Sequence, residues 1–109
     1  MKSILREKYR YVKFKVHSAK EYGRQDFEKQ LRQVLLDLMG EMQYSRCLPK
    51  LVAYSGTEGI IKILRDTEKE TRAALALIAR FDSIPIHLQS IFVSGTIKGC
   101  KEGGKSKKG

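Results

Sequence analysis

KYRYVKFKV, Lys8 to Val16, alternates residue by residue: Tyr9, Tyr11, Lys13 and Lys15 face one way, Arg10, Val12, Phe14 and Val16 the other. Period-2 alternation rich in aromatic and β-branched residues marks a half-buried strand. Val12, Phe14 and Val16 can sink into a core, while the opposite face carries two phenols and two ammonium groups. That combination suits nucleic acid. Taken alone, it equally describes a solvated sheet face with snorkelling lysines.

The rest of the chain decides what this strand belongs to. Phe27, Leu31, Val34, Leu35, Leu38 and Met42 recur at helical spacing, which predicts an amphipathic helix over Gln25 to Met39. Gly40 supplies the stop, although Met42 could extend the packed face. Leu48 to Tyr54 and Ile60 to Leu64 read as two strands joined by the turn residues Ser55 to Gly59. Thr67 and Glu70 form a capping-box signature opening a second helix, with Ala74, Leu75, Ile78 and Phe81 as its apolar stripe and Asp82-Ser83 as its end. Ile84 to Lys98 is the last extended segment, with Pro85 confined to a strand start or an edge.

Strand, helix, strand, strand, helix, strand is the order of a ferredoxin-like, RNA-recognition-motif-like α+β sandwich. It predicts a four-stranded antiparallel sheet in the order 4-1-3-2, with both helices on one face. Residues 1–100 form the single expected domain, and 101–109 a disordered Gly/Lys tail.

Charge sharpens the picture. The net charge is +10 over 109 residues, and it is uneven. Residues 1–15 carry +5, residues 98–109 carry +4, and everything between carries +1. In the expected topology the start of the first strand lies beside the end of the last, so both basic ends converge on one rim. Clustered cations of this kind point to a phosphate-rich partner, with solubility or an anionic membrane as the blander alternatives. The candidate contacts are Arg6, Lys8, Tyr9, Arg10, Tyr11, Lys13, Lys15, Lys98 and Lys101. Ile60, Leu64 and Phe92 are candidates for an apolar protein interface on the same sheet.

Other chemistries find little footing. Gly99-x-x-x-x-Gly104-Lys105-Ser106 matches the P-loop pattern, but no room remains for the helix that must follow it. The third strand, GIIKIL, lacks the aromatic half of a base-stacking platform. Asn is absent, which excludes an acylphosphatase-like site. His17 and His87 have no ligand cluster near them in sequence, and Cys47 and Cys100 form no C-x-x-C pair. Free thiols fit a reducing compartment, and the sequence leaves a disulfide open. No apolar run is long enough for a bilayer or a signal peptide, so a soluble cytoplasmic protein is expected.

LREKYRYVKFKV (5–16), GIIKILRDTEKETRAALALI (59–78) and PIHLQSIFVSGTIKGC (85–100) resemble the family of archaeal ribonuclease P protein component 2, which has a counterpart in eukaryotic ribonucleases P and MRP. The resemblance implies a non-catalytic RNA-binding subunit of the ribonucleoprotein that removes the 5′ leader of precursor tRNA. The RNA would be the catalyst, with Mg²⁺ held on that RNA and no cofactor on the protein. Implied partners are the ribonuclease P RNA, precursor tRNA, the TIM-barrel-like component 3 subunit in a heterotetramer of two copies each, and the remaining protein subunits. The alternative is a ferredoxin-like protein-interaction or small-ligand module whose basic ends serve solubility.

Overall fold

The computed structural model describes residues 8–102. The elements run β1 (Tyr9–Ser18), α1 (Arg24–Cys47), β2 (Lys50–Tyr54), β3 (Glu58–Leu64), a 3-10 turn (Arg65–Thr67), α2 (Glu68–Leu77), β4 (Arg80–Phe81), β5 (Ile84–Ser94) and α3 (Ile97–Glu102). The sheet order is β2-β3-β1-β5-β4, with antiparallel pairing throughout. The expected α+β arrangement holds, with β5 as the expected fourth strand. Two additions depart from it: the two-residue edge strand β4, and α3, which packs against β1 and β5.

The inner face of β1 does what its alternation predicts. Val12 and Phe14 are fully buried and join Leu31, Leu35, Ile61, Ile63, Leu75 and Leu88 in one core. An aromatic cluster fills its centre. Phe27 stacks on Tyr54 at 4.4 Å and meets Phe81 edge-on at 5.5 Å. Each fully buried side chain of this size contributes about 1.5–3 kcal/mol by leaving water. Gly59 lies opposite Phe14 for a steric reason: a Cβ there would sit 2.6 Å from Phe14 Cζ.

Helix α1 breaks at Gly40, the expected stop, and a second helical arm follows it. The φ of +80° at Gly40 is strained for any side chain, and helix resumes over 41–47. Met42 does not extend the packed face; it is 86% exposed. Cys47 at the end of the second arm is buried.

Helix α2 corrects two expectations. Thr67 does not close a capping box, because its hydroxyl donates to Leu64 O at 2.7 Å within the 3-10 turn. The helix also stops at Leu77, before Phe81. Phe81 reaches the core from β4 instead, and Asp82 at φ 53° with Ser83 turns the chain into β5. Pro85 is the second residue of β5, opposite Arg80 on the edge. The last extended segment ends at Ser94 rather than Lys98, and residues 97–102 are helical. The rest of the expected tail, 103–109, lies outside the described residues.

Candidate nucleic-acid interface

Register brings the two basic ends together. Tyr11 pairs with Ser94 on one side and Lys62 on the other, and Tyr9 pairs with Leu64. The N-terminal end of β1 is therefore flanked by the C-terminal ends of β3 and β5. Lys8 is exposed, and its carbonyl accepts a bond from Arg65 N–H at 2.7 Å. Arg10 is half-buried, donates to Tyr9 O at 3.1 Å, and lies beside Gly95 at the exit of β5. Lys98 follows on α3, exposed at that same margin.

Three cations that sequence reasoning missed join this margin. Lys62 places its Nζ 4.6 Å from the centre of the Tyr9 ring, a cation–π contact. Lys50 faces Lys62 across the β2–β3 ladder. Arg65 is exposed just past β3. The signal for them was available: in a 4-1-3-2 sheet the end of the third strand lies beside the start of the first. Asp66, exposed next to Arg65, is the acidic neighbour.

Lys13 departs from expectation. It is 5% exposed, with its Nζ donating to Lys101 O at 3.2 Å and paired with Glu58 Oε1 at 3.5 Å. The reason is α3, which the sequence reading left as strand and tail. After Ser94 the chain folds over the outer face of the sheet, and Cys100 Sγ contacts Tyr11 O at 3.3 Å. Gly99 permits the turn: a Cβ there would lie 2.6 Å from Ser94 Oγ and 2.9 Å from Thr96 Oγ1. The Gly99 N–H donates to Thr96 Oγ1 at 3.0 Å. The first glycine of the P-loop look-alike is thus part of a helix, and Gly104 to Ser106 lie outside the described residues.

The same overlay changes the apolar candidates. Ile60, opposite Lys13, is only 3% exposed and lines a small cavity with Lys101. It offers no surface in this arrangement. Leu64 is half-buried, and Phe92 is 38% exposed. Lys15 is exposed but lies farther along β1, level with Glu58 and Gln89. The Lys101 side chain is exposed, its carbonyl being the group that holds Lys13. Tyr9 and Tyr11 are half-buried, and Arg6 lies outside the described residues.

Both cysteines are free thiols. Burial pushes the Cys100 thiol up to about 11, against the lowering pull of the Lys13 charge. His17 and His87, distant in sequence, are opposite each other on β1 and β5 with ring centres 5.7 Å apart. Among the described residues no three His, Cys, Asp or Glu side chains gather as a metal site, and no helix is long and apolar enough to cross a membrane.

Comparison with known proteins agrees with this architecture. Residues 10–103 match the model of the Rpp14/Pop5 family. Ribonuclease P protein component 2 of Methanocaldococcus jannaschii is 34% identical over 97 residues, covering 89% of this chain and 72% of that protein. The component 2 proteins of Methanosarcina acetivorans and Archaeoglobus fulgidus are 34% and 30% identical, over 90% and 89% of this chain and 74% and 88% of theirs. A chain in the cryo-EM structure of yeast ribonuclease MRP superposes with a TM-score of 0.65 at 11% identity, covering 83% of this chain and 76% of that one, a likeness of fold. With the family model spanning β1 through α3, the chain belongs to the Rpp14/Pop5 family.

Proposed function

We propose that this protein is a non-catalytic RNA-binding subunit of ribonuclease P, supporting RNA-catalysed removal of the 5′ leader from precursor tRNA. The observation that carries this reading is the convergence of Lys8, Arg10, Lys62, Arg65 and Lys98 on one sheet margin, in a chain of the ribonuclease P subunit family. RNA folded tightly around metal ions brings phosphates into mutual repulsion, and cations on a rigid margin offset it. The Mg²⁺ ions required for phosphodiester hydrolysis would sit on the RNA. Lys15 and the Lys101 side chain would add diffuse attraction, while Lys13 serves the fold. Phe92 and Leu64 are the remaining apolar positions for a protein neighbour, for which the component 3 subunit is the proposed occupant.

Reconstituted cleavage of precursor tRNA, with the catalytic RNA and the other subunits, tests the reading. Omitting this chain should raise the Mg²⁺ needed for half-maximal cleavage. Replacing Lys8, Arg10, Lys62 and Arg65 with Ala should do the same, and should flatten log affinity against log salt by about 0.7–0.9 per lost phosphate contact. Cleavage indifferent to the chain, or cleavage by the chain without RNA, would end the proposal. Binding with an unchanged salt slope would favour the interaction-module alternative.

A further inference from the structure

The two edges of the sheet are finished differently. On the β2 edge a register shift after Leu51 bends the strand, and Arg24 Nη2 donates to Leu51 O at 3.2 Å. Bulges and side-chain cover of this kind blunt an edge against pairing. Among the described residues the outer edge of β5 is paired with a strand only at its start, where β4 meets Ile84 and Pro85. Beyond that point no strand lies on this side of β5 among the described residues.

Two hydrogen bonds fix where the free backbone groups aim. Ile86 N–H donates to Ala79 O at 3.0 Å, away from β1. Val16, which faces Leu88, donates to Thr57 O at 2.8 Å, away from β5. Pairs alternate in an antiparallel ladder, so His87 and Gln89 bond to β1. The N–H and C=O groups of Leu88 and Ser90 point outward, as those of Ile86 do.

They point into a groove of about 400 Å³ between β5 and α2. Ala73 and Ala76 leave its helical wall low, Lys69 and Arg72 make it basic, and among the described residues no acidic side chain lines it. Arg72 is held by Glu68 at 3.2 Å in an exposed pair, a contact that an incoming carboxylate can share. Alternating amide donors and carbonyl acceptors complement a peptide main chain. A phosphate backbone offers chiefly acceptors and would be repelled by the carbonyls.

We propose that the open edge of β5 accepts an extended acidic segment of another protein as an added strand, its main chain pairing with Leu88 and Ser90 and its carboxylates meeting Lys69 and Arg72. The site shares no residue with the basic margin and stands whether or not that margin binds RNA.

The probe is a fluorescein-labelled peptide of alternating valine and glutamate, titrated with the full chain and followed by anisotropy. Saturable binding is expected, with none for the valine–lysine counterpart. Ser90→Pro removes one outward N–H and no bond to β1, so it should keep the melting temperature and weaken binding by about tenfold or more. Lys69→Glu with Arg72→Glu should do likewise. N-methylating alternate amides of the peptide tests the same pairing without altering the protein, should Ser90→Pro fail to fold. Binding untouched by N-methylation, or no saturable binding at all, overturns the proposal. Self-association of the chain that Ser90→Pro abolishes would assign the edge to a second copy, and an RNA oligonucleotide that depends on Lys69 and Arg72 would assign the groove to nucleic acid; either result overturns it.

Discussion

The two faces of the sheet are closed by different means. The inner face is sealed by two long-range helical packings and a stacked aromatic centre in which Phe14, Phe27 and Phe81 are fully buried. The outer face is covered in part by the six residues of α3, held by one lysine, one carboxylate and one thiol. Dispersion and water release hold the first; a few directional polar contacts hold the second. One face carries most of the stability, and the other carries a short cover held by few contacts.

Breaking the inner face should therefore cost most. Phe14→Ala should lower the unfolding free energy by about 3–5 kcal/mol in urea titration, through lost transfer energy and the cavity left behind. Gly59→Ala drives a methyl group into the Phe14 ring and should cost about 1–3 kcal/mol, with partial recovery when Phe14→Leu is added. On the outer face, Glu58→Gln replaces the carboxylate 3.5 Å from the buried Lys13 Nζ with a neutral amide. Glu58 is 38% exposed, so a loss of about 1–2 kcal/mol is expected rather than the full cost of a dry pair. Hydrogen exchange should separate the two faces: Cys100 N–H, bonded to Thr96 O, should lose protection in Glu58→Gln while the amides of β1 and β3 keep theirs.

The Cys100 thiol sharpens the comparison through pH. Its folded pKa of about 11 lies above the ordinary 9.0, so the fold prefers the neutral thiol. That preference contributes fully below pH 9.0 and fades as pH rises toward about 11. Alkylation of Cys100 at pH 8 should run at least about a hundredfold slower in the native protein than in urea, because the folded thiol is both less ionised and fully buried. Equal rates would mean that α3 does not stay seated. The smallest effect belongs to Lys15→Ala, exposed beside Lys13 in sequence, which should shift stability by less than about 0.5 kcal/mol.

Lys13 and Lys15 also mark where sequence reading stops. Alternation places both on the outer face, correctly, but burial on that face depends on what folds over it. Nothing local in Ile97 to Glu102 announces a helix, since Gly99 sits in its middle and only Ile97 and Cys100 are apolar, so the cover was invisible. Phe81 shows the converse. Its burial was legible from apolar spacing, while its backbone was not, because one residue of a helical stripe can reach the same core from a short strand after a tight turn. The convergent margin was legible because topology and charge counts suffice for it. Lys50, Lys62 and Arg65 needed only the register of the neighbouring strands.

The order of strands has a consequence for how the molecule is made. β1 is the middle of the sheet, yet its two neighbours, β3 and β5, are both translated after it, and the pair Tyr11–Ser94 spans most of the chain. Val12 and Phe14 must wait in the nascent polypeptide, apolar and unsheltered, until residues through Ser94 have left the ribosome. Contacts so distant in sequence make folding slow for a domain of this size, and the interval is when the segment is most open to aggregation or to chaperone capture.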